Sequence, residues 1–391
     1  MIIYYNPHVD DFLAEPLQFR LLKRRALKKY GFMIDEARAG GKEVRTLIDG
    51  TVSGLIPESL FHQLPRWLRL VLANLEFKLW KRINGFGNEV TQVEIPKAPI
   101  QDVLLAFSYK AATGRFTLRN ETLRHYRAVV FHLSHYFLDT AEKAANIRQL
   151  PNAYVAGDSD ITDIPYFNRY FEWYSRPFLI LPFAVGTRFV NLQPWLSRDA
   201  RAVATGSFHD LRLETPARKY ADFMSATGAT TYHPVRLALY ESSGRLVPWI
   251  NCKISPYREY GKSWHSRVVA HFRVAQKKYF SINIVGLYNQ HRFAIVGEEL
   301  SGFPALGAIE AIACGCVLFA QPQHYIGTGL TPGVHFQSYD GSIDQILALL
   351  SERPTQDYLA MSNHASKEVL EKYSPARIYA LWIDSLEIKL E

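Results

Sequence analysis

The 391 residues contain only three cysteines, Cys252, Cys314 and Cys316. So few thiols exclude a disulfide framework, and none has the paired spacing of a zinc site, so a reducing cytosol is the expected setting. The chain lacks an apolar run long enough to span a bilayer. The opening MIIYYNPHVDD turns acidic too early for a secretory signal. Internal repeats and low-complexity tracts are also missing. The net charge of +8 is not gathered into a tail, and no nucleic-acid module accompanies it, so nucleic acid is not an expected partner. A phosphorylated substrate or a phospholipid surface suits that balance better.

What is present is core material for two α/β domains. Hydrophobic residues make up 48% of the chain, a normal globular share. Strand-like apolar runs alternate with helical patterns throughout, which predicts parallel sheets. The strand candidates are Met1–Tyr5, Val103–Phe107, Ala128–Leu133, Ala153–Ala156 and Phe178–Leu181, then Ala202–Thr205, Ile282–Val285, Phe293–Val296, Val317–Ala320 and His335–Ser338. A proline and polar residues in Gln193–Asp199 mark the expected boundary, giving domains 1–195 and 196–374 and a closing segment 375–391. That segment places Tyr379, Leu381, Trp382, Leu386 and Ile388 along a chiefly apolar helix face.

The stretch Val296–Ala320, VGEELSGFPALGAIEAIACGCVLFA, carries most of the chemistry. Gly302 and Pro304 shape a loop, a helix of small residues follows from Ala305 to Ala313, Gly315 ends it, and Val317–Ala320 reads as a buried parallel strand. A loop opening into a helix presents unpaired N–H groups and the positive end of the helix dipole, an arrangement that binds phosphate. Glu310 sits among Ala308, Ile309, Ala311 and Ile312. A carboxylate at such a packed position needs a partner. A ribose diol is one candidate, and a salt bridge to Arg or Lys is the other. Glu298 and Glu299 follow a buried strand at the edge where α/β sheets hold ligands.

The residues Glu298, Glu299, Gly302, Phe303 and Pro304, with Glu310-Ala311-Ile312-Ala313-Cys314-Gly315, resemble the retaining GT-B glycosyltransferases of the group 1, or GT4-like, family. The likeness covers roughly 280–390. It implies two Rossmann-like domains with parallel sheets facing a cleft, and a last helix crossing back to the N-terminal domain. The N-terminal domain would take the acceptor and the C-terminal domain the nucleotide-sugar. The implied activity is transfer of a sugar, with retention, to a hydroxyl of a glycan or lipid-linked acceptor, in the setting of bacterial surface polysaccharide assembly. Gly302, Phe303, Pro304, Ala305 and Leu306 would lie along the diphosphate, Glu310 on the ribose, and Glu298 or Glu299 on the donor sugar. One departure stands out: the family spacing between its two glutamates is shorter, so its first glutamate falls on Gly302.

Looser candidates complete the set. Gly206, Ser207 and His209 lie in AVATGSFHD, which looks like the first strand and loop of the donor domain. Arg258 and Lys262 are candidates to neutralise the departing diphosphate, the role of cations where no metal or cofactor is required. His132 or His135, at a strand end, is a candidate contact for the sugar or acceptor. Asp158-Ser159-Asp160 forms a D-x-D, the basis of an alternative, metal-dependent GT-A reading. A non-catalytic membrane- or glycan-binding protein on a transferase fold is a third reading, motivated by Gly302. Finally, Leu60–Arg82 combines Trp67, Leu75 and Trp80 with Arg66, Lys78 and Arg82, a pattern that suits a helix lying on an anionic membrane. An ordinary domain helix with snorkelling cations is the competing reading of those residues. The protein is therefore expected in the cytoplasm, with the inner membrane surface as a candidate partner through 60–82.

Overall fold

Continuous apolar runs build the centre of the first sheet. β4 (Ile100–Ala106), β5 (Tyr126–His132) and β6 (Ala153–Gly157) are buried along most of their length, as expected for strands covered on both faces. With β1 (Ile2–Tyr5), β2 (Val44–Leu47), β3 (Val90–Val93) and β7 (Leu179–Ile180) they form an all-parallel sheet of order β3-β2-β1-β4-β5-β6-β7. The order reverses at β1, whose Ile3 pairs with Arg45 of β2 on one side and Leu104 of β4 on the other. This is the doubly wound arrangement. The structure is a computed structural model describing residues 1–9, 13–14, 28–107, 120–134, 136–211, 221–257, 282–352 and 355–388.

The second sheet is also wholly parallel. Its strands are β8 (Asp199–His209), β9 (Ile250–Tyr257), β10 (His291–Ile295), β11 (Val317–Ala320) and β12 (Gln337–Ser338), in the order β12-β11-β10-β8-β9. Here the reversal lies between β8 and β10. Its core gathers Ala202, Ala204, Phe293, Ile295, Val317 and Phe319 from the strands with Leu239, Ile346, Tyr358 and Met361 from the helices. The chain divides into two units, one of Met1–Gly157, Tyr170–Ala184 and Ile378–Glu391, the other of Asp158–Arg169 and Val185–Arg377.

The terminal helix Pro375–Ile388 thus returns, from Ile378 onward, to the first unit. Its buried stripe is Ile378, Trp382, Ser385 and Leu386, while Leu381 is exposed. The spacing i, i+4, i+7, i+8 is the helical one. Trp382 is fully buried, stacks on Phe107 at 5.5 Å and donates from Nε1 to the Pro182 carbonyl at 2.8 Å.

Two expectations need correction. Ile282–Val285 is not a strand: Ile284–Gln290 is helical, because Asn283 caps it by accepting the Gly286 N–H at 3.1 Å. Gly206, Ser207 and His209 are not in a loop either. They extend β8 and pair with Ile254, Ser255 and Tyr257 of β9.

Candidate functional site

The carboxyl ends of β8 and β10 converge at the order reversal of the second sheet, the place where open α/β sheets bind ligands. One arginine ties them together. Arg236, on the helix Pro234–Glu241, donates from Nε to the Val296 carbonyl at 2.6 Å, from Nη1 to Ser207 at 2.7 Å and from Nη2 to Gly297 at 2.9 Å. Gly206 makes this possible. Its φ is +120°, and a Cβ there would stand 2.8 Å from Arg236 Nε.

Helix Leu306–Ala313 starts at the same edge, after β10. Its N-cap is Ala305, with no side-chain hydrogen bond to the first-turn amides. An uncapped start leaves N–H donors for another acceptor. Ala308, Ile309, Ala311 and Ile312 are buried, whereas Leu306, Gly307 and Glu310 are part-exposed on one shared face. Gly307 lets the helix lie close to its neighbours, since a Cβ would meet Tyr288 Oη at 2.9 Å and Val296 Cγ1 at 3.3 Å. The turn ahead of the helix differs from the open cradle expected of it. Gly302, Phe303, Pro304 and Ala305 are all buried, and a Cβ on Gly302 (φ +107°) would stand 2.8 Å from both Ile161 and Ile164. The close approach that this glycine allows is used by those isoleucines, and the accessible donors belong to the helix start itself.

The acidic residues occupy distinct settings. The Glu310 carboxylate makes no hydrogen bond and no ion pair within 4.0 Å among the described residues, where its one charged influence is Arg188. Burial pushes its carboxyl up to about 7, against a downward pull from Arg188. Glu298 is 3% exposed. Its Oε1 accepts from the Gln321 N–H at 3.3 Å and from Tyr325 Oη at 3.2 Å, while the buried Oε2 has no hydrogen-bond partner among the described residues. Burial raises this carboxyl to about 7 as well. Glu299 accepts from Ser301 Oγ at 3.1 Å and faces His233 Nε2 at 3.5 Å. His233 is buried and held near 4, chiefly by desolvation and then by Arg236, so it is neutral at pH 7. Burial also lowers His324, which faces the Gly302 backbone and Glu299.

The remaining candidates separate. His209 contacts the Tyr232 ring at 5.7 Å. His132 lies in the first unit with both ring nitrogens engaged. Nε2 is 3.0 Å from the Leu181 carbonyl, which fixes the proton there, and Nδ1 accepts from Ser134 Oγ at 2.9 Å. Its ring stacks on Trp382 at 5.8 Å. That environment favours packing over substrate contact. His135, Arg258 and Lys262 lie outside the described residues.

Among the described residues the D-x-D belongs to no convergent group of three metal-ligating side chains. Asp160 Oδ1 is taken by the Thr162 N–H at 3.0 Å and Thr162 Oγ1 at 2.7 Å, and the single convergent group of three among the described residues is His335, His364 and Glu368. Even there the Thr331 N–H donates to His335 Nδ1 at 2.9 Å, so the His335 proton sits on Nε2, facing Glu368 Oε2 at 2.6 Å. Lys372 pairs with the same carboxylate. The group is an ion-pair network rather than a ligand set. Cys316 is equally structural: it is buried, with Sγ 3.1 Å from the Tyr288 carbonyl.

Two parallel doubly wound units, with the final helix returning to the first, define the GT-B fold. Two solved structures of one protein agree with this fold. Anabaena HepE in complex with UDP-glucose superposes with TM-score 0.52 at 11% identity over 99% of each chain, and HepE with UDP and glucose with 0.50 at 11% identity, again over 99% of each. Sucrose-phosphate synthase from Thermosynechococcus elongatus gives 0.49 at 12% identity over 100% of this chain and 98% of that one. No protein-family model matches the sequence, and no curated protein matches it.

Proposed function

We propose that the protein is a glycosyltransferase that takes a sugar from a nucleoside-diphosphate donor bound by the second unit and passes it, with retention, to a hydroxyl of a glycan or lipid-linked acceptor, as in surface polysaccharide assembly. The observation that carries this reading is the open face of helix Leu306–Ala313, which combines an uncapped start at Leu306 and Gly307 with the unpartnered Glu310 carboxylate one turn further on. Phosphate oxygens at the helix start would accept the free N–H groups, and a ribose diol would donate to Glu310. The same spacing separates diphosphate from ribose by about one helical turn, ~5 Å. HepE, which shares the fold, was solved with UDP-glucose.

In this reading Glu298 or Glu299 receives the donor sugar hydroxyls. Arg236 holds the strand ends and the Ser207 and Gly297 carbonyls in place without touching the sugar. Charge grows on the leaving diphosphate in the transition state, so donors fixed in advance at the helix start lower the barrier. Arg258 and Lys262 are the proposed cations. The departing phosphate oxygen takes the acceptor proton, so no separate protein base is assigned. The proposed domain roles put the donor on 196–374 and the acceptor on 1–195.

The test is a thermal-shift screen across UDP-, GDP-, ADP- and CMP-sugars, followed by assay of nucleotide release in EDTA. One donor should raise the melting temperature, because a ligand bound only by the native state stabilises it, and turnover should survive EDTA. Binding without turnover for every acceptor tried would favour the non-catalytic reading, and loss of turnover in EDTA would refute the metal-independent mechanism.

A further inference from the structure

Helix Arg66–Ile83 in the first unit has two sides of opposite character. Its inner side buries Ala73, Glu76, Phe77 and Trp80. Phe77 stacks on Trp80 at 5.5 Å, and Glu76 receives the Ser53 hydroxyl at 2.6 Å and the Gly54 N–H at 2.7 Å. Those bonds hold the helix against the loop that follows β2. A Cβ on Gly50 of that loop would stand 3.2 Å from Leu70. The helix is thereby fixed beside the carboxyl edge of the first sheet.

The outer side is apolar where water would be expected. Trp67 is 67% exposed, Val71 48%, Leu75 51% and Leu79 48%. The repeat i, i+4, i+8, i+12 lines them along one face, with Leu68 and Leu72 part-exposed beside them. At 100° per residue, Lys78 and Arg82 fall within the same arc, both exposed, and no carboxylate does, since Glu76 is turned inward. Such a contiguous patch marks an interaction surface. A second copy is a poor occupant, because two-fold pairing apposes the same face and this face holds cations without anions. An anionic surface with an apolar interior meets both halves of the pattern. Trp favours the headgroup level, and Lys and Arg keep their charge at the phosphates while their stems lie among the chains.

We infer that this face docks on an anionic lipid bilayer, with Trp67, Val71, Leu75 and Leu79 entering the headgroup boundary and Lys78 and Arg82 bound to lipid phosphates. No helix among the described residues is long and apolar enough to cross a membrane. The docking brings the carboxyl edge of the first sheet to the bilayer surface. The inference stands on exposure and charge and is independent of the donor reading.

Vesicle flotation tests it, with vesicles of phosphatidylglycerol and phosphatidylcholine against phosphatidylcholine alone. The intact chain should float with the anionic vesicles, weakly with the neutral ones, and less as salt rises. The pair K78Q/R82Q should weaken anionic binding about thirtyfold, since each cation near such a surface contributes about fivefold. The pair W67S/L75S should weaken it at least tenfold. Both pairs sit on the solvent side and should keep the wild-type melting temperature. An intact chain that stays in the infranatant at low salt would overturn the proposal. So would wild-type flotation by both pairs, or a dimer that W67S/L75S converts to monomer, which would assign the face to a second copy.

Discussion

Replacing Glu310 by Gln separates its two proposed consequences, because they have opposite signs. Burial raises this carboxyl from 4.5 to about 7. Its contribution to folding is therefore intact below pH 4.5 and is lost as pH rises through about 7, where the folded protein must hold the charge. At 1.36 kcal/mol per pKa unit, the upper bound of that cost is ~3 kcal/mol at pH 8, and partial exposure reduces it to about 1–3 kcal/mol. Glu310→Gln removes the charge with little change of shape, so the free protein should melt roughly 2–10 °C higher at pH 8 and about equally at pH 5. Nucleotide affinity should move the other way. A ribose diol donates two hydrogen bonds to a carboxylate, and an amide accepts only one of them. The expected loss is about 1–3 kcal/mol, or 5- to 150-fold in Kd by calorimetry. In the wild type, affinity should rise with pH up to about 7 and then level, because the bound form holds the carboxylate ionised. A variant less stable at pH 8, with UDP, GDP, ADP and CMP affinities unchanged, would refute the reasoning.

Glu298→Gln should likewise remove a pH-dependent loss of stability between about 4.5 and 7, read as a flattened melting profile, while the Gln321 and Tyr325 hydrogen bonds to Oε1 remain. Arg236→Lys keeps the charge but can reach only part of the Val296, Ser207 and Gly297 carbonyls, so chemical denaturation should show a loss of about 2–4 kcal/mol. Gly302→Ala strains a backbone at φ +107° and drives a methyl to 2.8 Å from Ile161 and Ile164, which should cost about 1–3 kcal/mol in the same assay and leave the nucleotide Kd within a few fold.

The sequence made the second sheet's centre legible for a physical reason. Val317–Ala320 and Phe293–Val296 are unbroken apolar runs, and the small residues from Ala305 to Ala313 ending at Gly315 admit few structures besides a packed helix and stop. β2, β3 and β9 were harder to see. Val44–Leu47, Val90–Val93 and Ile250–Tyr257 interleave Arg, Thr, Gln, Asn and Lys with their apolar residues, and their pairing depends on neighbours distant in sequence. Glu310 could be found because a lone carboxylate in an apolar helix is an anomaly. Arg236 could not, since in PVRLALYE it reads as an ordinary surface cation until β8 and β10 are brought together. The cover over Gly302 was hidden for the same reason, because Ile161 and Ile164 come from far earlier in the chain. Local spacing reported the helix start and its acidic residue, and tertiary packing decided which of the flanking glycines is covered.

The most direct test of the central claim is amide-resolved hydrogen exchange at the start of helix Leu306–Ala313, with UDP, GDP, ADP and CMP each added in turn. First-turn amides have no intrahelical acceptor and exchange freely until something accepts from them. The account predicts that one of these nucleotides slows exchange at Leu306 and Gly307 in the wild type and does so only at higher concentration in Glu310→Ala. A nucleotide that binds, by calorimetry, yet leaves those two amides exchanging at the free rate would contradict it.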